Sequence, residues 1–136
     1  MDTRPRKAII DSGVLAAAAN TKDTENTWAL VGLGSMKGRA ITCEAAITEA
    51  VHLVKNNGTA VERLQELLGG MEIMPMAKNV RALLDSVRDY TPRMDYADAC
   101  AVALQKQNPD SIVITTDHAD FSVYRVPFAS PRGGWY

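Results

Sequence analysis

Acidic residues follow two short apolar runs of the sequence, at positions where a folded chain could use them for chemistry. The run AII at residues 8–10 leads directly into Asp11, and the run IVI at residues 112–114 leads through two threonines into Asp117. Isoleucine- and valine-rich runs of this length are typical of buried parallel strands. Because the carboxyl ends of parallel strands lie on one edge of a sheet, both acids are expected at that edge if the two strands are neighbours.

Two segments with helical patterns contribute further acids. Glu49 lies between Ala46 and Leu53 at helical spacing, on a face that is at least partly apolar. Asp95 and Asp98 are three residues apart, so they lie on one side of the first turn of a later helix. Carboxylates that are held together without a partner raise one another's pKa, and a hard divalent cation removes that cost. The set therefore indicates a site for Mg²⁺ or Mn²⁺, ions that activate water and offset the charge on a phosphate being cleaved.

Local capping explains most of these acids without any metal. The alternatives are a helix N-cap at Asp11 or Ser12, a capping pair at Asp95 and Asp98, and a turn cap at Asp117 and Asp120. Glu49 could equally be a solvated surface residue, since charged side chains are mostly exposed. Capping does not require a glutamate in the middle of a helix, so the whole set is more informative than any single member.

Composition bounds the class of protein. The 136 residues fit one domain, and 46% hydrophobic residues are enough for a core. The net charge of -1 argues against a strongly electrostatic nucleic-acid binder, although a net charge can conceal local patches. Cys43 and Cys100 form no CxxC motif, so buried reduced thiols are expected. No signal peptide or membrane span is recognisable, and a soluble, cytoplasmic protein is the expectation.

Strand-like and helix-like segments alternate along the chain, which predicts an α/β domain with a mostly parallel sheet. The strand candidates are residues 7–11, 39–42, 71–75, 112–114 and 122–126. Helical patterns cover residues 14–20, about 23–36, 43–58, 59–68, 76–90 and 94–107. In the third of these helices, Ile47, Val51 and Val54 are expected to form the apolar stripe.

Four short motifs together resemble the PIN-domain nucleases. They are IIDSG, ITEAVHLV, MDYADACAVAL and ITTDHADFSVYR, in the order and approximate spacing of that family. The similarity is closest to the small bacterial proteins that include the VapC-type toxins of toxin–antitoxin pairs. It extends over nearly the whole chain and implies a single PIN-like domain over residues 1–136. The implied fold has three α/β/α layers around a mostly parallel sheet of four to five strands.

The resemblance also assigns roles to individual residues. It implies that Asp11, Glu49, Asp98 and Asp117 are catalytic and bind one or two Mg²⁺ or Mn²⁺ ions, with Asp120 as a further metal-binding acid. Ser12, Thr116 and Asp95 would support those acids without binding the metal directly. Glu44 competes with Glu49 for the glutamate role. Five residues rotate a helix by about 140°, so both cannot easily face one ion, and the helix dipole already explains an acid at Glu44.

The activity implied by the resemblance is hydrolysis of RNA phosphodiester bonds by a metal-activated water. The expected partners are RNA, an antitoxin protein and a second copy of the chain. Candidate phosphate contacts are Arg4, Arg6, Lys7, Lys37, Arg39, Arg93 and Arg132, each of which is also explained as a solvated surface residue. His52 and His118 lack the spacing of a metal site and are expected to be non-catalytic. The alternatives are a nuclease with a housekeeping role in RNA processing and a non-catalytic PIN domain that binds RNA or protein.

Overall fold

A five-stranded sheet forms the centre of the protein in the computed structural model, which describes residues 6–36 and 38–133. The strands are β1 (Lys7–Ile10), β2 (Ala40–Cys43), β3 (Glu72–Met74), β4 (Ser111–Ile114) and β5 (Phe128–Ala129). Their order across the sheet is β3-β2-β1-β4-β5, and every neighbouring pair is parallel. The strands that precede Asp11 and Asp117 are therefore neighbours, as the sequence predicted.

Seven helices within the described ranges flank this sheet. They are α1 (Ser12–Ala19), α2 (Asn26–Ser35), α3 (Glu44–Val54), α4 (Gly58–Leu68), α5 (Val80–Asp89), α6 (Tyr96–Gln107) and α7 (His118–Tyr124), with a short 3-10 turn at Ala77–Asn79. Helix α1 packs against α3 and α4, and α6 packs against α3, α5 and the central strands. The predicted PIN-like α/β/α architecture is confirmed. In the described part of the chain, no helix is long and apolar enough to cross a bilayer.

The centre of the core is formed by β1 and β4. Ile9, Ile10 and residues 112–114 are almost completely buried, because helices cover both faces of these strands. Each fully buried isoleucine contributes roughly 1.5–3 kcal/mol relative to an exposed one. The cysteines Cys43 and Cys100 are both buried and unbridged, in line with the prediction. The sheet centre is thus a rigid base for the acids at its carboxyl edge.

The sequence correctly predicted helix α3 but misplaced its buried face. Ala46, Ala50 and Val54 face the core, whereas Val51 is 40% exposed and Ile47 is half-buried. The small alanines face α1, whose own buried residues are mostly alanine, so the two helices pack through small side chains. Hydrophobicity alone favoured the larger residues, and the close helix contact selects the smaller ones.

The strand predicted at residues 122–126 is wrong. Residues 118–124 form α7, and the final strand comes later, at Phe128–Ala129. The Asp117 carboxylate caps the helix by accepting from the Asp120 N–H, and the Ser122 hydroxyl donates to the His118 carbonyl. Arg125 ends it in a left-handed conformation, with φ of 60°. These local hydrogen bonds outweigh the strand preference of the valines and the tyrosine.

We expect Ala50→Leu to lower the free energy of unfolding by about 1–3 kcal/mol, because a larger side chain overpacks the contact with α1. Val51→Leu is the matched control on the exposed side of the helix and should change stability by less than about 0.5 kcal/mol. Urea unfolding of both variants measures the difference. Equal effects at the two positions would contradict the observed helix face.

Candidate acidic site at the sheet edge

Thr115 links the two acids that follow the central strands. Ile10 pairs with Ile114, so Asp11 and Thr115 leave the sheet side by side. The Thr115 hydroxyl donates to Oδ2 of Asp11 over 2.8 Å and accepts from the Asp117 N–H over 2.9 Å. The sequence predicted a supporting role for Thr116 and missed Thr115. Successive side chains of an extended segment point to opposite sides, and the sequence does not show which of the two threonines faces Asp11.

Asp11 carries its charge in a buried position. It is 5% exposed, and its Oδ1 has no hydrogen-bond partner among the described residues. Although Asp11 immediately precedes α1, its side chain makes no capping hydrogen bond, so the capping alternative does not explain it. Burial raises the pKa of Asp11 to about 6, and the neighbouring charges of Asp95 and Asp117 add to the rise, while the Thr115 hydrogen bond opposes it.

Asp98 joins this group from the first turn of α6. Asp95 caps the helix by accepting from the Asp98 N–H over 2.7 Å, which confirms the capping alternative for Asp95. The Asp98 carboxylate points elsewhere, and its Oδ2 accepts from the Tyr124 hydroxyl over 2.8 Å. Burial, together with the charges of Asp11 and Asp95, raises the pKa of Asp98 to about 7, and the Tyr124 hydrogen bond opposes this rise.

Asp117 and Asp120 form the side of the site that belongs to α7. The Asp117 carboxylate accepts from the Asp120 N–H over 3.0 Å, so the predicted turn cap is present. Burial raises the pKa of Asp117, and the Asp120 carboxylate adds to this effect. Asp120 itself is paired with Arg93, whose Nη1 donates to its Oδ1 over 2.7 Å. This ion pair could not be read from the sequence, because its members are 27 residues apart.

Among the described residues, the side chains of Glu49, Glu44 and Thr116 make no hydrogen bond or ion pair with the buried acids. Glu49 is half-buried on α3, and its side chain makes neither a hydrogen bond nor an ion pair with another described residue. Glu44 is exposed in the first turn of the same helix. Thr116 packs against Gly13, where a Cβ atom would overlap its hydroxyl oxygen. Gly13, which the sequence did not single out, thus lets the start of α1 lie close to the loop that carries Asp117. Ser12 is the half-buried first residue of α1, and its backbone N–H lowers the pKa of Asp11 against the effect of burial.

The arrangement suits a hard cation in its chemistry. Asp11, Asp98 and Asp117 offer only carboxylate oxygens, the donors that Mg²⁺ and Mn²⁺ prefer, and one oxygen of Asp11 is buried without a partner. Within residues 6–36 and 38–133, however, no three acidic, histidine or cysteine side chains are close enough to hold an ion as they stand. The edge therefore gathers uncompensated negative charge without forming a closed set of ligands.

Known structures share this fold, although no protein-family model and no curated protein matches the sequence. VapC20 of Mycobacterium tuberculosis, described as a sarcin–ricin loop cleaving toxin, superposes with a TM-score of 0.74 at 15% identity, over 86% of this chain and 95% of its own. FitAcB of Neisseria gonorrhoeae superposes with a TM-score of 0.67 at 22% identity, over 92% and 98% of the two chains. FitAB bound to a DNA fragment gives 0.65 at 19%, over 91% and 94%. At these identities the similarity concerns the fold.

We expect Asp11→Asn to stabilise the protein in EDTA at pH 8, where the native carboxylate is charged and buried. The folded protein holds this proton more tightly than the unfolded chain, so native stability falls as pH rises from about 4 to about 6. The difference between the ordinary pKa of 3.8 and about 6 corresponds to about 3 kcal/mol, at about 1.4 kcal/mol per pKa unit. Urea unfolding at pH 4 and pH 8 measures the gain.

The exposed Asp110→Asn is the control for that experiment and should leave stability unchanged at both pH values. A stability loss in Asp11→Asn at pH 8 would show that the charge of Asp11 is compensated in the metal-free protein.

We expect Tyr124→Phe to raise the pKa of Asp98 further, because the variant lacks the hydroxyl that stabilises the charged carboxylate. A hydrogen bond to a charged group is worth about 1.5–3 kcal/mol, so stability at pH 8 should also fall. Titration of the carboxyl carbon signals by NMR measures the pKa. Tyr90→Phe is the control, since the Tyr90 ring packs against Tyr124 but gives no hydroxyl to the acids. An unchanged Asp98 pKa in Tyr124→Phe would rule out the proposed effect.

Proposed function

For a chain that has the VapC-like PIN fold, we propose the function of a metal-dependent endoribonuclease that hydrolyses RNA phosphodiester bonds as the toxin of a toxin–antitoxin pair. The observation that carries the proposal is the buried Asp11, which lies within electrostatic reach of Asp98 and Asp117 at the carboxyl edge of the sheet. Buried carboxylates with raised pKa values cost the fold stability when they are charged, and such groups cluster at functional sites. A cation is the simplest group that offsets their charge.

Asp11, Asp98 and Asp117 would hold this cation, Mg²⁺ or Mn²⁺. Glu49 is proposed as the fourth acid, because it lies on α3, which packs against both α1 and α6. Asp120 is proposed as an outer member, since one of its oxygens is occupied by Arg93. When bound, the ion activates water and offsets the charge that develops on the phosphate.

The remaining groups act by holding these acids in place. Thr115 fixes the orientation of Asp11 and the backbone of Asp117, and Tyr124 fixes the orientation of Asp98. Asp95 fixes the start of α6 by capping it, which sets the position of Asp98 on the helix. Ser12 and Thr116 are proposed to support the acids from the start of α1 and the loop before Asp117.

The structural neighbours support RNA as the substrate and a protein as the partner. VapC20 is described as a toxin that cleaves the sarcin–ricin loop, and FitAB is described as bound to a DNA fragment. Exposed apolar side chains offer surfaces that an antitoxin or a second copy of this chain could cover, and they include Val31, Leu53 and Leu84. A toxin that acts on cellular RNA would work in the cytoplasm.

We expect the purified protein to cleave RNA in Mg²⁺ or Mn²⁺, and EDTA to abolish the cleavage. Asp11→Asn and Asp98→Asn should each reduce the rate by more than about 100-fold, because residues that merely support metal ligands already change activity by about 10- to 100-fold. The exposed Asp110→Asn should keep native activity and serves as the control for a contaminating nuclease. Gel analysis of a labelled RNA measures the rates.

Cleavage that is unaffected by EDTA and by both substitutions would refute the proposed enzyme. Failure to bind Mn²⁺ would favour the non-catalytic PIN domain. The toxin role requires that expression of the native protein alone slows growth and that Asp11→Asn does not. If expression of the active enzyme does not slow growth, the housekeeping role in RNA processing is the alternative that remains.

A further inference from the structure

Arg93 places a positive charge beside the acidic edge. It lies in the loop between α5 and α6, and its Nη1 donates to Oδ1 of Asp120 over 2.7 Å. The Arg93 side chain is 44% exposed and that of Asp120 is 26% exposed, so the pair lies at the surface of the site. Another arginine, Arg88, forms ion pairs with Asp85 and Asp89 on the surface of α5.

Backbone and side-chain contacts hold the loop that carries Arg93 close to the acids of the site. The Arg93 N–H donates to the Tyr90 carbonyl over 2.8 Å, and the following residue, Met94, is buried in the core. The Tyr90 ring packs edge-on against the Tyr124 ring with centroids 5.2 Å apart, and Tyr124 donates to Asp98. The backbone of Arg93 is therefore positioned relative to the same acids that the proposed cation needs.

An RNA strand that approaches the acidic edge needs a positively charged side chain nearby. Asp95, Asp98, Asp117 and Asp120 are all at least partly accessible on this side of the protein, and they repel a phosphodiester backbone. The charge of Arg93 reaches Asp117, whose pKa it lowers against the effect of burial. A guanidinium carries five N–H donors, and the contact with Asp120 uses one of them. The remaining donors can bind phosphate oxygens in a forked geometry.

We propose that Arg93 is a substrate-binding residue of this site, whose guanidinium contacts a phosphate of the RNA strand next to the bond that is cleaved. Asp120 is the positioning residue, because it holds the guanidinium over the acidic edge before RNA arrives. The inference rests on the proposed ribonuclease function and adds the residue that recognises the substrate backbone. Such a contact is independent of base identity, so it contributes affinity without sequence preference.

RNA binding is tested apart from cleavage in the Asp11→Asn background, with fluorescence anisotropy of a labelled single-stranded RNA in Mg²⁺ at several salt concentrations. One lost phosphate contact lowers the slope of log affinity against log salt by about 0.7 for a single strand. We expect Arg93→Ala to show this loss and a several-fold weaker affinity. Arg93→Lys should retain the slope, because it keeps the charge. Arg88→Ala is the matched control and should behave like its parent.

In the otherwise native protein, Arg93→Ala should raise KM for RNA cleavage several-fold with a smaller change in kcat, as expected for a contact made before the reaction. An unchanged salt slope and KM in a folded Arg93→Ala variant would overturn the inference while leaving the ribonuclease in place. RNA binding with no cleavage by the native protein would refute the enzyme instead. Absence of RNA binding by the parent would overturn both. Thermal unfolding checks that each variant is folded.

Discussion

The hydrogen bond between Thr115 and Asp11 joins the two central strands of the sheet at the point where a negative charge is buried. It exists because β1 and β4 are parallel neighbours in a register that brings both residues out of the sheet together. The bond satisfies one oxygen of Asp11 and leaves the other without a partner. The other groups at this edge matter through their effect on this carboxylate, because each further acid near Asp11 increases the electrostatic repulsion.

The neighbouring contacts limit this repulsion without removing it. Tyr124 stabilises the charge of Asp98, and Arg93 does so for Asp120, yet burial still raises the pKa values of Asp11 and Asp98 to about 6 and about 7. In the absence of a cation these groups hold protons more tightly than ordinary carboxylates. The fold therefore gives up stability at neutral pH to keep the acids together, which is typical of sites that serve a function.

The sequence predicted the parts of this arrangement that depend on local patterns. The apolar runs before Asp11 and Asp117 indicated buried parallel strands, and parallel strands send their final residues to one edge. The contacts between Tyr124 and Asp98 and between Arg93 and Asp120 were out of reach, because each pair is more than 25 residues apart and is set by helix packing. The strand expected at residues 122–126 was wrong for a local reason. Capping by Asp117 stabilises the short helix α7 over most of this segment.

The affinity for Mn²⁺ shows whether the acids of this edge hold a divalent cation. Calorimetric titration compares the native protein with Asp11→Asn, Asp98→Asn and Glu49→Gln, and Glu44→Gln serves as the control on the same helix as Glu49. We expect the native protein to bind Mn²⁺, the first three variants to lose at least about tenfold in affinity, and Glu44→Gln to keep the native affinity. Absence of Mn²⁺ binding, or an affinity that survives the loss of Asp11 and Asp98, would contradict this expectation.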